Sequence, residues 1–180
     1  MANLSKFIIT KIMGWKVIDP FPVIPKCVLV VAPHTSNWDF IVGKLAYNSL
    51  GRQANFLIKD EWFFFPFNIF FNKIGGIPVN RDRNESLTTK LADAFEEREW
   101  MHLGITPEGT RKPAKEWKMG FYLIAMKANV PILLIGLDYG KKEIRVLDVY
   151  YPTGDYNKDI VEIKEYYKDI KAKKPENFIL

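Results

Sequence analysis

The residues with the most chemistry to offer lie in one short stretch, Ala32-Pro33-His34-Thr35-Ser36-Asn37-Trp38-Asp39-Phe40. It holds one of only two histidines in 180 residues, with a carboxylate five positions on. An imidazole at a strand end, with an acid in reach, is the arrangement of a general base and the group that orients it. His34 and Asp39 cannot share one face of a continuous helix, because five residues advance about 140° beyond a full turn. They meet if His34 is in the loop and Asp39 in the first helical turn. Ser36 as N-cap places Asp39 at the third helical position, an S-x-x-D capping box. Capping alone explains the acid, at about 1 kcal/mol, whereas a positioned base contributes about 10² to 10⁴ in rate. The two roles are compatible if one carboxylate oxygen caps the helix and the other holds the imidazole N–H. The far ring nitrogen is then free to take a proton from an alcohol.

Two further polar loops carry arginine. Gly75-Gly76-Ile77-Pro78-Val79-Asn80-Arg81 reads as a short strand with Arg81 and Arg83 at its lip, and Pro107-Glu108-Gly109-Thr110-Arg111 is a loop by its proline and glycine. Arginine matches phosphate bidentately, although most arginines are simply surface residues. Glu108 can accept a hydrogen bond from a substrate hydroxyl or pair with an arginine. His102, in Met101-His102-Leu103, reads as a buried or edge-strand histidine rather than a ligand. The single Cys27 excludes an intrachain disulfide and a cysteine-based zinc site and fits a reducing compartment.

The elements that must position these loops follow from periodicity. Residues 3–16 read as an amphipathic helix with Leu4, Phe7, Ile8, Ile12 and Trp15 at helical spacing, Ile9 and Met13 widening the stripe, and Lys6, Lys11 and Lys16 beside them. Such a helix either lies on an anionic membrane or packs its stripe on the domain. Pro20, Pro22 and Pro25 end it, so residues 1–20 are an N-terminal segment and 21–180 the domain proper. Strands are expected at 26–31, 54–59, 75–81, 100–106, 130–137 and 143–150, and helices at 37–50, 86–98, 118–129 and 158–171. The charged tail, 171–174, is expected to fray. Strands alternating with helices, plus a late hairpin, give a single α/β domain: a largely parallel mixed sheet with helices on both faces. In such sheets the site lies at the carboxyl ends of the strands, where all three polar loops fall. Residues 62–71 hold seven aromatics in ten positions. Core packing accounts for about half of them; the rest are expected to line an acyl groove or face lipid.

Hydrophobic content of 48% and charged content of 26% are those of a globular chain. A formal charge of +5 suggests an anionic partner. Nucleic acid has only that charge in its favour, since the aromatics cluster with few basic residues between them. No apolar run reaches the roughly 18–20 residues that span a bilayer, and a signal-peptide layout is absent. The expectation is a cytoplasmic protein that at most lies on a membrane.

Four blocks in order resemble the glycerolipid acyltransferase family, whose bacterial members include 1-acyl-sn-glycerol-3-phosphate acyltransferases. They are His34-Thr35-Ser36-Asn37-Trp38-Asp39 (H-x4-D), Gly76-Ile77-Pro78-Val79-Asn80-Arg81, Pro107-Glu108-Gly109-Thr110-Arg111 and Val130-Pro131-Ile132. The resemblance implies a glycerol-3-phosphate acyltransferase-like fold over residues 21–180. It implies His34 as general base and Asp39 as its orienter. Arg81, Glu108, Gly109, Thr110 and Arg111 would bind the acceptor, and the fourth block would help form the acyl-donor side. The acceptor hydroxyl would attack the thioester of acyl-CoA or acyl carrier protein directly, with no metal, cofactor or acyl-enzyme, at the inner face of the membrane. Pro33, Thr106, Lys112 and Leu134 depart from residues common in the family at those positions. The default acceptor is 1-acyl-sn-glycerol 3-phosphate; another lysolipid or an amino-acid lipid is the alternative, and a non-catalytic lipid-binding protein with this fold is a second.

Overall fold

A computed structural model describes residues 2–18, 21–79 and 87–180. In chain order the elements are α1 (Ala2–Phe7), a π-helical turn (Ile8–Ile12), β1 (Lys16–Ile18), β2 (Lys26–Ala32), α2 (Asn37–Ser49), β3 (Asn55–Lys59), a 3-10 turn (Asp60–Trp62), α3 (Phe67–Lys73), β4 (Gly76–Val79) and α4 (Leu87–Glu96). They continue with β5 (Met101–Ile105), α5 (Gly120–Ala128), β6 (Ile132–Asp138), β7 (Glu143–Tyr150), α6 (Tyr156–Glu165) and a 3-10 turn (Pro175–Asn177).

The seven strands form one sheet in the order β1-β7-β6-β2-β5-β3-β4. All neighbours are parallel except β6 and β7. Side chains alternate across a strand, and β2 divides its own accordingly. Val28, Val30 and Ala32 join Leu91 and Phe95 of α4, Phe121 and Ile124 of α5 and Ile163 of α6. Cys27 and Leu29 join Val42, Ala46 and Tyr47 of α2 with Ile9 and Trp15. Burial on both faces is why β2 and β6 are near-continuous apolar runs, and the expected α/β sheet with helices on both faces is what the chain forms.

Four local expectations need correction. The predicted helix over 3–16 breaks into α1, the π turn and the edge strand β1, whose three residues are too few to show a period. The break also splits the predicted stripe: Ile9 and Trp15 are buried, with Ser5 beside them, while Leu4, Phe7 and Ile12 are exposed. Next, no aromatic of residues 62–71 is buried, so the core takes none of them fully; Phe63 and Phe71 are half-buried and the other five are exposed. The last α-helix stops at Glu165, not at 171. Finally, the charged tail does not fray. Residues 171–178 form an irregular strap back over the strand ends: the Tyr139 N–H donates to the Lys171 carbonyl (2.8 Å), the Lys174 N–H to Thr35 Oγ1 (3.1 Å) and Asn177 Nδ2 to the Arg111 carbonyl (3.0 Å).

Candidate active site

Strands β2 to β6 run in one direction, so their carboxyl ends share an edge. β2 lies between β5 and β6, with Val30 paired to Ile105 and Ala32 to Gly136. The loops after β2, β5 and β6 therefore meet at neighbouring strand ends, and these loops carry His34, Glu108 and Tyr139.

The loop after β2 opens with a cis Ala32–Pro33 peptide and turns into α2 through the predicted capping box. Ser36 Oγ accepts the Trp38 N–H (3.2 Å), and Asp39 Oδ2 accepts the Thr35 and Ser36 N–H groups at 2.7 Å each. Asp39 is 3% exposed, and Oδ2 also faces His34 Nδ1 at 3.4 Å. That contact is long for a hydrogen bond, as catalytic contacts often are without substrate. The oxygen that caps the helix is thus the one beside the imidazole. Its partner Oδ1 accepts the Tyr139 hydroxyl at 2.7 Å, so the expected division of labour between the two oxygens does not hold. Burial pushes the Asp39 carboxyl up, but the imidazole of His34 beside it and hydrogen bonds from Tyr139, Ser36 and Thr35 outweigh it and hold the group below its ordinary value. Asp39 is an anion set against the imidazole, with the partial positive charge of the α2 N-terminus behind it. His34 Nδ1 is sealed from solvent while the side chain stays 18% exposed. The accessible part of the ring is therefore the side away from Nδ1, which carries Nε2.

Glu108 is 4% exposed, and its Oε1 accepts the His34 N–H at 2.8 Å. Its carboxylate thus holds the loop from the β5 side, and Oε2 has no hydrogen-bonding partner among the described residues. Burial pushes the Glu108 carboxyl up, opposed by its own N–H, by the His34 N–H and by the His34 charge. Gly109 has φ +64°, and a Cβ there would lie 2.7 Å from the Lys118 side chain, so the turn after Glu108 needs glycine. Thr110 Oγ1 accepts the Lys112 N–H (3.2 Å). The Arg111 side chain is exposed at the same edge. Arg81 and Arg83 lie outside the described residues.

Val130-Pro131-Ile132 stands elsewhere. Asn129 ends α5 in the left-handed region (φ 51°), the Pro131 carbonyl accepts the Val28 N–H and Ile132 pairs with Val28. This is the amino end of β6, about 20 Å of strand away from its carboxyl end. The fourth block builds the sheet and does not reach His34. His102 is likewise structural: its Nε2 lies 2.5 Å from the Ile24 carbonyl and Nδ1 meets the Tyr47 hydroxyl. Burial lowers its pKa, which suits a neutral ring with Nε2 as donor.

Tyr139 is a site residue that sequence reasoning missed. A tyrosine in a hairpin turn carries no motif, and only the β2–β6 pairing predicts that it comes near the His34 loop. Its ring lies edge-on to Trp15, with centroids 4.8 Å apart, and Lys173 Nζ sits 5.8 Å from its centre and 4.9 Å from that of Trp38. Met13, Trp15, Trp38, Val42, Tyr139 and Lys173 line an open cleft of about 300 Å³ beside Asp39.

Residues 19–137 match the profile of the family described as Acyltransferase. The fold also aligns with the crystal structure of the 1-acyl-sn-glycerophosphate (LPA) acyltransferase PlsC from Thermotoga maritima. That alignment has a TM-score of 0.62 and 17% identity and covers 93% of this chain and 75% of the other; at that identity the likeness is one of fold. No curated protein matched the chain.

Proposed function

This chain belongs to the Acyltransferase family, and on that premise we propose that it moves a fatty acyl group from acyl-CoA or acyl carrier protein to the free hydroxyl of a lysophospholipid. The preferred acceptor is 1-acyl-sn-glycerol 3-phosphate, giving phosphatidate. The observation that carries the reading is the buried Asp39 carboxylate, 3.4 Å from Nδ1 of a histidine whose opposite side is accessible. In the reaction His34 Nε2 takes the proton of the acceptor hydroxyl as its oxygen attacks the thioester carbonyl. Asp39 stabilises the imidazolium. The C–S bond then breaks, and the imidazolium returns its proton to the leaving thiolate. Esters and thiols balance without a metal, a cofactor or a covalent enzyme intermediate. Arg81 and Arg111 take the acceptor phosphate, with Glu108, Gly109 and Thr110 shaping that loop.

The acceptor is a lipid, so the protein works against the inner face of the membrane as a peripheral protein. Among the described residues no helix is long and apolar enough to cross a bilayer. Two exposed apolar groups support surface contact: Leu4, Phe7 and Ile12, flanked by Lys6 and Lys11, and the aromatic finger Trp62, Phe64, Phe65, Phe67 and Phe70. Aromatic and basic residues together suit an anionic lipid interface.

The test is thioester consumption by purified protein with palmitoyl-CoA and a panel of lysolipids and amino-acid lipids, with products read by mass spectrometry. Acylated lysophosphatidate from wild type, and none from His34→Ala, is the expected result. Transfer to a different acceptor replaces the substrate assignment. Liposome binding without transfer from any donor refutes catalysis.

A further inference from the structure

We propose that Tyr139, pinned by the strap 171–178, is a positioning residue for the Asp39–His34 pair. The inference rests on His34 being the base. A carboxylate held by one oxygen can swing about its last torsion, whereas one held by both cannot. Asp39 Oδ2 takes the two loop N–H groups and faces the imidazole, and Tyr139 supplies the second anchor by donating to Oδ1 at 2.7 Å from 100 residues away. The anchor is itself fixed from three directions. The Tyr139 N–H is bonded to the Lys171 carbonyl, its ring edge packs on Trp15, and the Lys173 ammonium lies over its face. The same strap holds the catalytic loop, because the Lys174 N–H donates to Thr35 Oγ1. Asp39 thus faces His34, Thr35 and Ser36 from its own loop, Tyr139 from the β6–β7 turn and the Glu108 charge from the loop after β5, while the strap lysine lies over the Tyr139 ring.

The experiment compares wild type, Tyr139→Phe, Thr35→Val and His34→Ala, using palmitoyl-CoA and the most active acceptor of the panel. Phenylalanine keeps the ring in its place against Trp15 and removes only the hydroxyl. Positioning is strongly felt in rate, so Tyr139→Phe is expected to lower kcat about tenfold and leave both KM values within about twofold. The acid limb of its pH–rate profile moves to higher pH, because an Asp39 carboxylate with one donor fewer presents more charge to the imidazolium. A purely structural tyrosine moves neither kcat at full saturation nor that limb. Thr35→Val frees the strap from the loop with Tyr139 in place and lowers kcat about threefold by the same loss of positioning. Wild-type kcat and an unmoved acid limb in Tyr139→Phe, with His34→Ala inactive, overturn the positioning role and leave the base standing. Wild-type turnover in His34→Ala overturns the base and this inference with it.

Discussion

Replacing Asp39 with asparagine separates its capping of α2 from the orienting role proposed for it. In the native loop three donors reach it at 2.7 Å, the N–H groups of Thr35 and Ser36 and the Tyr139 hydroxyl, and His34 Nδ1 stands at 3.4 Å. Asparagine keeps a carbonyl oxygen for the two backbone donors, and its amide can donate to Tyr139, whose hydroxyl then accepts. The geometry survives and the charge does not. Each of three bonds falls from charge-assisted to neutral, a difference of about 1 kcal/mol apiece. Stability should therefore drop by about 2–3 kcal/mol, or about 5–10 °C in Tm for a chain of this size. Asp39 is held below its ordinary value of 3.8. Such a group adds stability that is present above that value and lost as pH falls through the lower native one. Urea midpoints of wild type and variant should thus differ most at neutral pH and converge in acid. Turnover tests the other job. Without the anion, the imidazolium formed when His34 accepts a proton has no counter-charge, and kcat should fall by about 10² to 10⁴. Wild-type kcat in a variant that has lost the calculated stability would refute the reasoning and leave Asp39 a helix cap only.

Glu108→Gln keeps an acceptor for the His34 N–H but removes a buried acid that burial pushes above its ordinary value of 4.5. The stability contributed by that raised group is full below 4.5 and is lost as pH rises through its native value, so urea midpoints of the variant should gain on wild type as pH rises; parallel curves would count against it. Arg81→Ala should raise KM for a phosphate-bearing acceptor more than for the acyl donor, and equal effects on both would mean a structural role. Phe65→Asp, at a side chain 77% exposed, should leave Tm unchanged. It should also weaken sedimentation with anionic vesicles by about 10-fold or more, the worth of burying one phenylalanine; undiminished binding would remove the aromatic finger from the lipid contact.

How much of this was legible in the sequence follows the range of each signal. The capping box spans four residues and the β2 run seven, so local rules place Ser36, Asp39 and the strand end before His34. Loops at one sheet edge follow from the alternation of strands and helices, which brings Glu108 near His34 without stating the contact. What local rules missed is either short or distant. Three residues of β1 carry no period. The π turn interrupts the N-terminal helix, and of the stripe read there Ile9 packs while Ile12 is exposed. A run of phenylalanines says that area must be covered but not by what, and the core declines all seven. The strap looked like a fraying tail because Lys171, Lys173 and Lys174 are charged. Its hold comes mainly from backbone groups and from an ammonium on aromatic faces, and neither leaves a mark in a hydropathy pattern.

The place of β2 between β5 and β6 also imposes an order in time. His34 and Asp39 leave the ribosome early, but their partners Glu108 and Tyr139 come 74 and 100 residues later. At the usual pace of about 5–20 residues per second, the Asp39 carboxylate spends about 5–20 s as a nascent-chain group before Tyr139 exists to bind it. Contacts of such long range also form late in a fold. Synthesis halted before the β6–β7 turn therefore leaves His34 and Asp39 in the chain without the Tyr139 hydroxyl on the carboxylate, and the arrangement around Asp39 is complete only once that turn has been made.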